Sequence, residues 1–232
     1  MEPGPETKPL TFEALEDGTF SFTKNGTGDD IQYSKDNGTT WTPLVSGETV
    51  SVVTGDKVMW KSTITPNTSY PYGIGTFSST NNFNLCGNIM SLLYGDDFKG
   101  QTSLEDKDYV FYRMFHYCTK MIDASNLILP ATTLAKDCYN SMFQGCTRLT
   151  TSPELSATTL ARYCYSDMFS ECTSLNHITM LATNISASGC LALWVYGVAS
   201  TGTFVKHPGM TSLPTGESGI PKGWTVEDAV IS

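Results

Sequence analysis

Between Leu10 and Asn84 apolar and polar residues alternate over short distances, and turn-forming residues break the runs. Thr19-Phe20-Ser21-Phe22 alternates, Asn25-Gly26 supplies a tight turn, and Ile31-Gln32-Tyr33 resumes the pattern. Asp36-Asn37-Gly38 turns again before Trp41, since Asn-Gly accepts the positive φ that a hairpin needs. Val50-Ser51-Val52, the turn Thr54-Gly55-Asp56 and the run Lys57-Val58-Met59-Trp60 follow. Turn signals recurring about every ten residues predict a small antiparallel β-sandwich over 10–86, preceded by a flexible segment over 1–9.

From about Gly87 the pattern changes from alternation to repetition. Val110-Phe111-Tyr112-Arg113-Met114-Phe115-His116-Tyr117-Cys118-Thr119 matches Cys138-Tyr139-Asn140-Ser141-Met142-Phe143-Gln144-Gly145-Cys146-Thr147, and both match Cys164-Tyr165-Ser166-Asp167-Met168-Phe169-Ser170-Glu171-Cys172-Thr173. Between them Ala131-Thr132-Thr133-Leu134-Ala135 recurs as Ala157-Thr158-Thr159-Leu160-Ala161. A fixed period of this size is the mark of a stacked array, because one unit alone cannot bury its own apolar stripe. Cys138, Met142 and Cys146 stand at i, i+4, i+8, with Tyr139 and Phe143 beside them, which predicts one apolar face of a short helix. A short extended piece follows each phrase. The expected fold is therefore α+β, with the β-sandwich leading into a solenoid of helix plus strand per repeat over 87–200. Cys190, Trp194 and Val198 keep the stripe and read as a capping turn, with a cap and tail over 201–232.

The phrase Cys-Tyr-x-x-Met-Phe-x-x-Cys-Thr-x-Leu and its Ala-Thr-Thr-Leu-Ala linker resemble the BspA-like leucine-rich-repeat family of gut-bacterial surface proteins and their phages. The resemblance implies an adhesive module rather than one particular ligand.

Composition narrows the function classes. Charged residues are 16% of the chain, below the roughly 25% of an average soluble domain, and the net charge is −9 with a pI near 4.7. Nothing on that balance neutralises a phosphate backbone, so no nucleic-acid partner is expected. The most apolar stretch, Leu191 to Val198, falls well short of the roughly 20 residues that span a bilayer, so no membrane insertion is expected. Met1-Glu2-Pro3-Gly4-Pro5-Glu6 is acidic and Pro-rich, unlike an export signal.

Catalytic chemistry is not expected. The seven cysteines form no C-x-x-C pair and read as reduced core residues, which suits folding in a reducing cytoplasm. Neither H-E-x-x-H, G-x-S-x-G nor a Gly-rich phosphate loop occurs. Asp29-Asp30 and Asp96-Asp97 read as solvated turn acids, and Ser34 to Trp41 as a hairpin with Trp41 in the core. No catalytic residue, metal ligand or cofactor is assigned.

What remains is a surface. Strand alternation places Asp123, Ser125, Thr151, Glu154, His177 and Thr179 on the outward face of the repeat strands, where they carry no packing duty. The expectation is a non-enzymatic protein of a phage virion, a fibre or surface-decoration component. Its repeats would contact protein or glycan on a bacterial cell surface, and its N-terminal part would contact other virion proteins. The alternative is a secreted or surface-anchored bacterial adhesin for host glycans or matrix proteins; homo-oligomerisation stays open in both.

Overall fold

The computed structural model describes residues 7–70 and 72–231; residues 1–6 of the expected flexible segment lie outside the described residues. The N-terminal part contains β1 (Leu10–Ala14), β2 (Gly18–Lys24), β3 (Ile31–Ser34), β4 (Thr42–Leu44), β5 (Thr49–Val52), β6 (Lys57–Lys61), β7 (Gly75–Ser79) and β8 (Phe83–Asn88). After α1 (Ser91–Tyr94) come β9 (Met121–Ile128), β10 (Thr151–Leu155), β11 (His177–Met180), β12 (Thr203–Lys206) and β13 (Thr225–Asp228).

Alternation sends Phe12 of β1 and Phe20 and Phe77 of β2 and β7 to the same interior. There Phe12 meets Phe20 and Phe77 at 5.1 and 4.8 Å between ring centroids. These belong to two sheets, ordered β4-β3-β6-β1-β8-β9 and β5-β2-β7. The arrangement fits the expected antiparallel sandwich only loosely, because the larger sheet does not end with the N-terminal strands. β8 pairs in parallel with β9, and Thr150 beside β10 donates its N–H to Ile122 O of β9 at 2.9 Å. β10 to β13 then continue as a parallel sheet in sequence order. One buried apolar cluster runs from Leu10 to Trp224 through the whole assembly.

The expected helix-plus-strand leucine-rich-repeat solenoid is not what forms. Among the described residues α1 is the only α-helix, four residues long, and none of the repeated phrases is helical. Each is a run of turns with a left-handed residue at every fourth position. Asp137, Ser141 and Gly145 have φ of 55°, 55° and 72°, while Tyr163, Asp167 and Glu171 have 54°, 54° and 63°. A right-handed helix admits no such residue. The hydrogen bonds explain the choice. Tyr139, Phe143 and their alternates donate to the next phrase, to Cys164 O and Met168 O at 3.1 and 2.9 Å, while Met142 and Cys146 between them donate three residues back, to Tyr139 O and Phe143 O. An isolated ten-residue helix is marginal. The turn run satisfies its backbone both within and between phrases and still keeps its stripe inward.

Steps of four residues drift by about 40° each around an α-helix, so Cys138, Met142 and Cys146 would spread over about 80° of its surface, still within one apolar face. In a four-residue turn unit they fall on one line, and all three are fully buried. A helix would hold i, i+8 cysteines about 12 Å apart along its axis, a spacing that does not carry over to the turn run. All seven thiols are free. Cys118, Cys146 and Cys172 instead donate S–H to Phe77 O, Phe115 O and Phe143 O at 3.1, 3.1 and 3.0 Å, each reaching one layer back. Beside them Phe77, Phe115, Phe143 and Phe169 stack face to face, 5.7, 5.4 and 5.6 Å apart, and Trp194 extends the column.

Two further expectations change. Trp41 is only half-buried and carries Lys61 Nζ 4.3 Å above its ring, because β4 is the edge strand of its sheet and leaves Trp41 beside solvent. The array does not close at Trp194 either. The tail adds β12 and β13 to the sheet, and residues 217–219 fold over the last turn run, where Trp194 Nε1 donates to Gly219 O at 2.9 Å.

Candidate functional site

The parallel strands β10–β12 turn one set of side chains into the core and the other out, while β13 is exposed along its length. Ile178 and Met180 of β11 and Phe204 of β12 point inward and are fully or largely buried. The residues between them form rows set by the strand register. Thr151, His177, Thr203 and Thr225 are aligned in the first row, and Glu154, Thr179, Val205 and Glu227 in the second.

A bulge makes the second row. From Thr151 simple alternation would turn Glu154 inward. The register shifts between Thr151 and Glu154, so that Ser152 and Pro153 are both buried and Glu154 stays exposed. Asp123 and Ser125 lie on the neighbouring β9, half-buried and exposed respectively. They are tied to each other, since Asp123 accepts Ser125 N–H at 3.1 Å and Ser125 Oγ–H at 2.7 Å. Thr151, His177 and Thr179 are half-buried. The structure thus brings four of the six expected residues, Thr151, Glu154, His177 and Thr179, into two adjoining rows. It gives Asp123 and Ser125 a local capping arrangement one strand away.

Four contributors were missed: Thr203, Val205, Thr225 and Glu227. The signal was present, because Thr203-Phe204-Val205-Lys206 follows His177-Ile178-Thr179-Met180 at the repeat interval, with a bulky apolar residue at the second place of each. Between β12 and β13, Lys206 and Asp228 pair at 2.5 Å and pin the last strand.

Chemically this face offers hydroxyls that donate and accept, carboxylates at Glu154 and Glu227 that accept, one imidazole and the apolar Val205, on strands paired in parallel. It can bind by hydrogen bonding over a broad area. Among the described residues no group of three or more His, Cys, Asp or Glu is placed to hold a metal ion. No helix is long and apolar enough to cross a membrane among them either. Compared with protein-family models, curated proteins and solved structures, the chain shows no match in any of the three.

Proposed function

We propose that the protein is a non-enzymatic recognition protein of a phage virion, a fibre or decoration component, whose β10–β13 face contacts a bacterial cell surface. The observation that carries this reading is the pair of in-register rows, Thr151/His177/Thr203/Thr225 and Glu154/Thr179/Val205/Glu227. Rows of mostly polar side chains, interrupted only by Val205, repeating at the spacing between strands suit a ligand that itself repeats, such as a surface polymer. The thiols favour a virion over a secreted adhesin. Cys118, Cys146 and Cys172 use their S–H as donors to buried carbonyls, so the reduced form is the structural one. A chain that folds in a reducing cytoplasm and leaves by assembly into a particle keeps them so. The N-terminal sheets at the other end are then the attachment point for other virion proteins.

The test is binding of labelled full-length protein to encapsulated and capsule-stripped gut bacteria, with host mucin and matrix proteins alongside. The expected result is saturable binding to particular bacterial strains. A Glu154→Lys/Glu227→Lys variant, altered only at exposed positions, should bind at least tenfold more weakly with an unchanged melting temperature. Binding to host material alone, or bacterial binding indifferent to that variant, overturns the reading.

A further inference from the structure

A second surface lies where the segment before β7 meets the first turn run. The neck of that segment is pinned. Asn67 and Gly73 exchange backbone hydrogen bonds at 3.0 and 2.8 Å, and Ile74 donates its N–H to Val110 O at 3.1 Å. Gly73, at φ +80°, approaches so closely that a Cβ there would sit 2.7 Å from Tyr109 O. This close seating brings together residues about forty positions apart in the chain. The result is a cleft of about 210 Å³ lined by Tyr70, Tyr72, Tyr112, Arg113, His116 and Asn25.

The aromatic walls are preorganised. Tyr72 stacks on Tyr109 at 4.3 Å and 17°, and meets Tyr112 edge-on at 5.5 Å and 86°. Tyr70 stands edge-on to Tyr72 at 6.2 Å and is 81% exposed, with its ring toward solvent. Tyr109 adopts φ +60°, a conformation that costs a bulky residue free energy, and in that conformation its ring supports Tyr72. Lys136 Nζ donates to Tyr109 Oη at 2.8 Å and lies 4.8 Å from the centroid of the supporting ring.

The polar groups around the rings include a cation and a neutral amide but no anion. Arg113 lies over the Tyr112 ring at 5.1 Å and, among the described residues, pairs with no carboxylate. Asn25 gives one amide hydrogen to Tyr72 O at 3.3 Å, which leaves its carbonyl and second hydrogen for a ligand. On a chain of net charge −9 this cleft has no carboxylate in its lining and one guanidinium at its rim.

We propose that the cleft is a saccharide subsite for a sugar ring bearing a carboxylate. The C–H face of a pyranose is apolar and packs on the electron-rich face of a tyrosine. Ring hydroxyls need donors and acceptors such as Asn25 and the tyrosine hydroxyls, and a guanidinium holds a carboxylate by two parallel hydrogen bonds. Tyrosine supplies this contact at low entropic cost because its side chain has two torsions. The volume suits one ring, so the site reads a single residue of a polymer or a chain end. This proposal does not rest on the β10–β13 face: the two surfaces share no residue, and either can fail alone.

The test is calorimetric titration of full-length protein with a hyaluronan oligosaccharide and with the same oligosaccharide after reduction of its glucuronate carboxyls. Sialyllactose against lactose is a second matched pair. The expected result is that the carboxylated member of at least one pair binds at least tenfold more tightly. Tyr70→Ala should weaken that binding at least fivefold, and Arg113→Gln should abolish the preference. Tyr70 is exposed enough that its removal leaves the melting temperature unchanged, which separates a binding defect from misfolding. Equal affinity for both members of each pair, no binding to any of the four, or carboxylate-dependent binding indifferent to Tyr70→Ala overturns the proposal.

Discussion

Tyr117 lies flat against Gly145 of the next phrase, so close that a Cβ on Gly145 would sit 2.3 Å from its Cδ1. Tyr163 covers Gly189 in the same way, at 2.0 Å from its Cε1. In both pairs a left-handed tyrosine of one layer takes the space that a side chain would need in the next. Gly145→Ala meets two costs, a positive φ of 72° and an overpacked ring contact. Together they come to about 2–4 kcal/mol of lost stability. Chemical denaturation checks this. Tyr117→Ala introduced into the same chain should recover the packing share and leave the backbone share. If Gly145→Ala unfolds at the wild-type denaturant concentration, the contact has no energetic meaning.

The N-terminal strands and the repeat interval were legible in the sequence, the fold class was not, and the errors have identifiable physical causes. The alternation around Phe20 and Phe22 and around Val58 and Trp60 marks β2 and β6 where they occur. The repeat interval marks the layers. Misread was the local geometry of Cys138 to Cys146, since an i, i+4 stripe fits a helix and a four-residue turn nearly alike over one turn. The third member of the stripe does not separate them either, because eight residues turn a helix by about 80° net and stay within one apolar face. Nothing in local propensity could place Tyr109, Tyr117 and Tyr163 in left-handed backbone, since tyrosine resists that region. Contacts between layers override the preference. The tyrosine cleft was equally invisible, because Tyr70 and Tyr72 reach Tyr112 only through the close seating of Gly73.

The buried thiols predict a sharp alkaline limit to stability. Burial pushes Cys118 and Cys164 up to about 12, and raises Cys138, Cys146 and Cys172 above the ordinary 9.0 as well. A raised folded pKa means that the stabilisation is complete below pH 9 and is lost as pH climbs toward the folded value, because the unfolded chain ionises first. By pH 10 the unfolded chain's thiols are mostly ionised while the buried ones are not, so each opposes folding by on the order of 1 kcal/mol and the five together by several. That is within the whole stability of a typical domain. Urea midpoints measured at pH 7, 9 and 10 should therefore fall steeply over the last interval, and a flat profile to pH 10 contradicts the burial.

The same five thiols should resist modification. At pH 8 iodoacetamide should label the native protein first at the half-buried Cys86, and should reach Cys118, Cys138, Cys146, Cys164 and Cys172 only after unfolding. Peptide mapping by mass spectrometry reads the sites directly. Rapid native labelling at Cys146 would mean that the layers open in solution.

Asp36 holds the β3–β4 hairpin through its carboxylate. It accepts Thr40 Oγ1–H at 2.6 Å, Thr40 N–H at 2.9 Å and Ser34 Oγ–H at 2.7 Å. These bonds, those from Thr40 first, lower its pKa to about 2. A lowered folded pKa means that the contribution is present above the ordinary carboxylate value and fades as pH falls toward 2. A carbon-detected NMR titration should find the Asp36 carboxyl ionising near 2, and Asp36→Asn should speed hydrogen exchange at the Thr40 amide. Titration near 3.8 would show that the hairpin clasp is open.

The stacked column makes Phe143 the position where one substitution should be felt in three layers. Its ring contacts Phe115 at 5.4 Å and Phe169 at 5.6 Å, its N–H donates to Met168 O, and its carbonyl accepts the Cys172 thiol. Phe143→Ala removes the ring from the middle of a fully buried column and should cost about 3–5 kcal/mol. Phe143→Leu keeps most of the volume but no stacking, and should cost less. The layers bond laterally through backbone and ring alike, so the two variants should differ in extent and not in kind. Each should lower the single unfolding transition seen by both tyrosine fluorescence and far-ultraviolet circular dichroism. If Phe143→Ala splits the transition in two, with the N-terminal sheets melting later than residues 109–198, then the core of Leu10 to Trp224 is continuous in space but not in cooperativity.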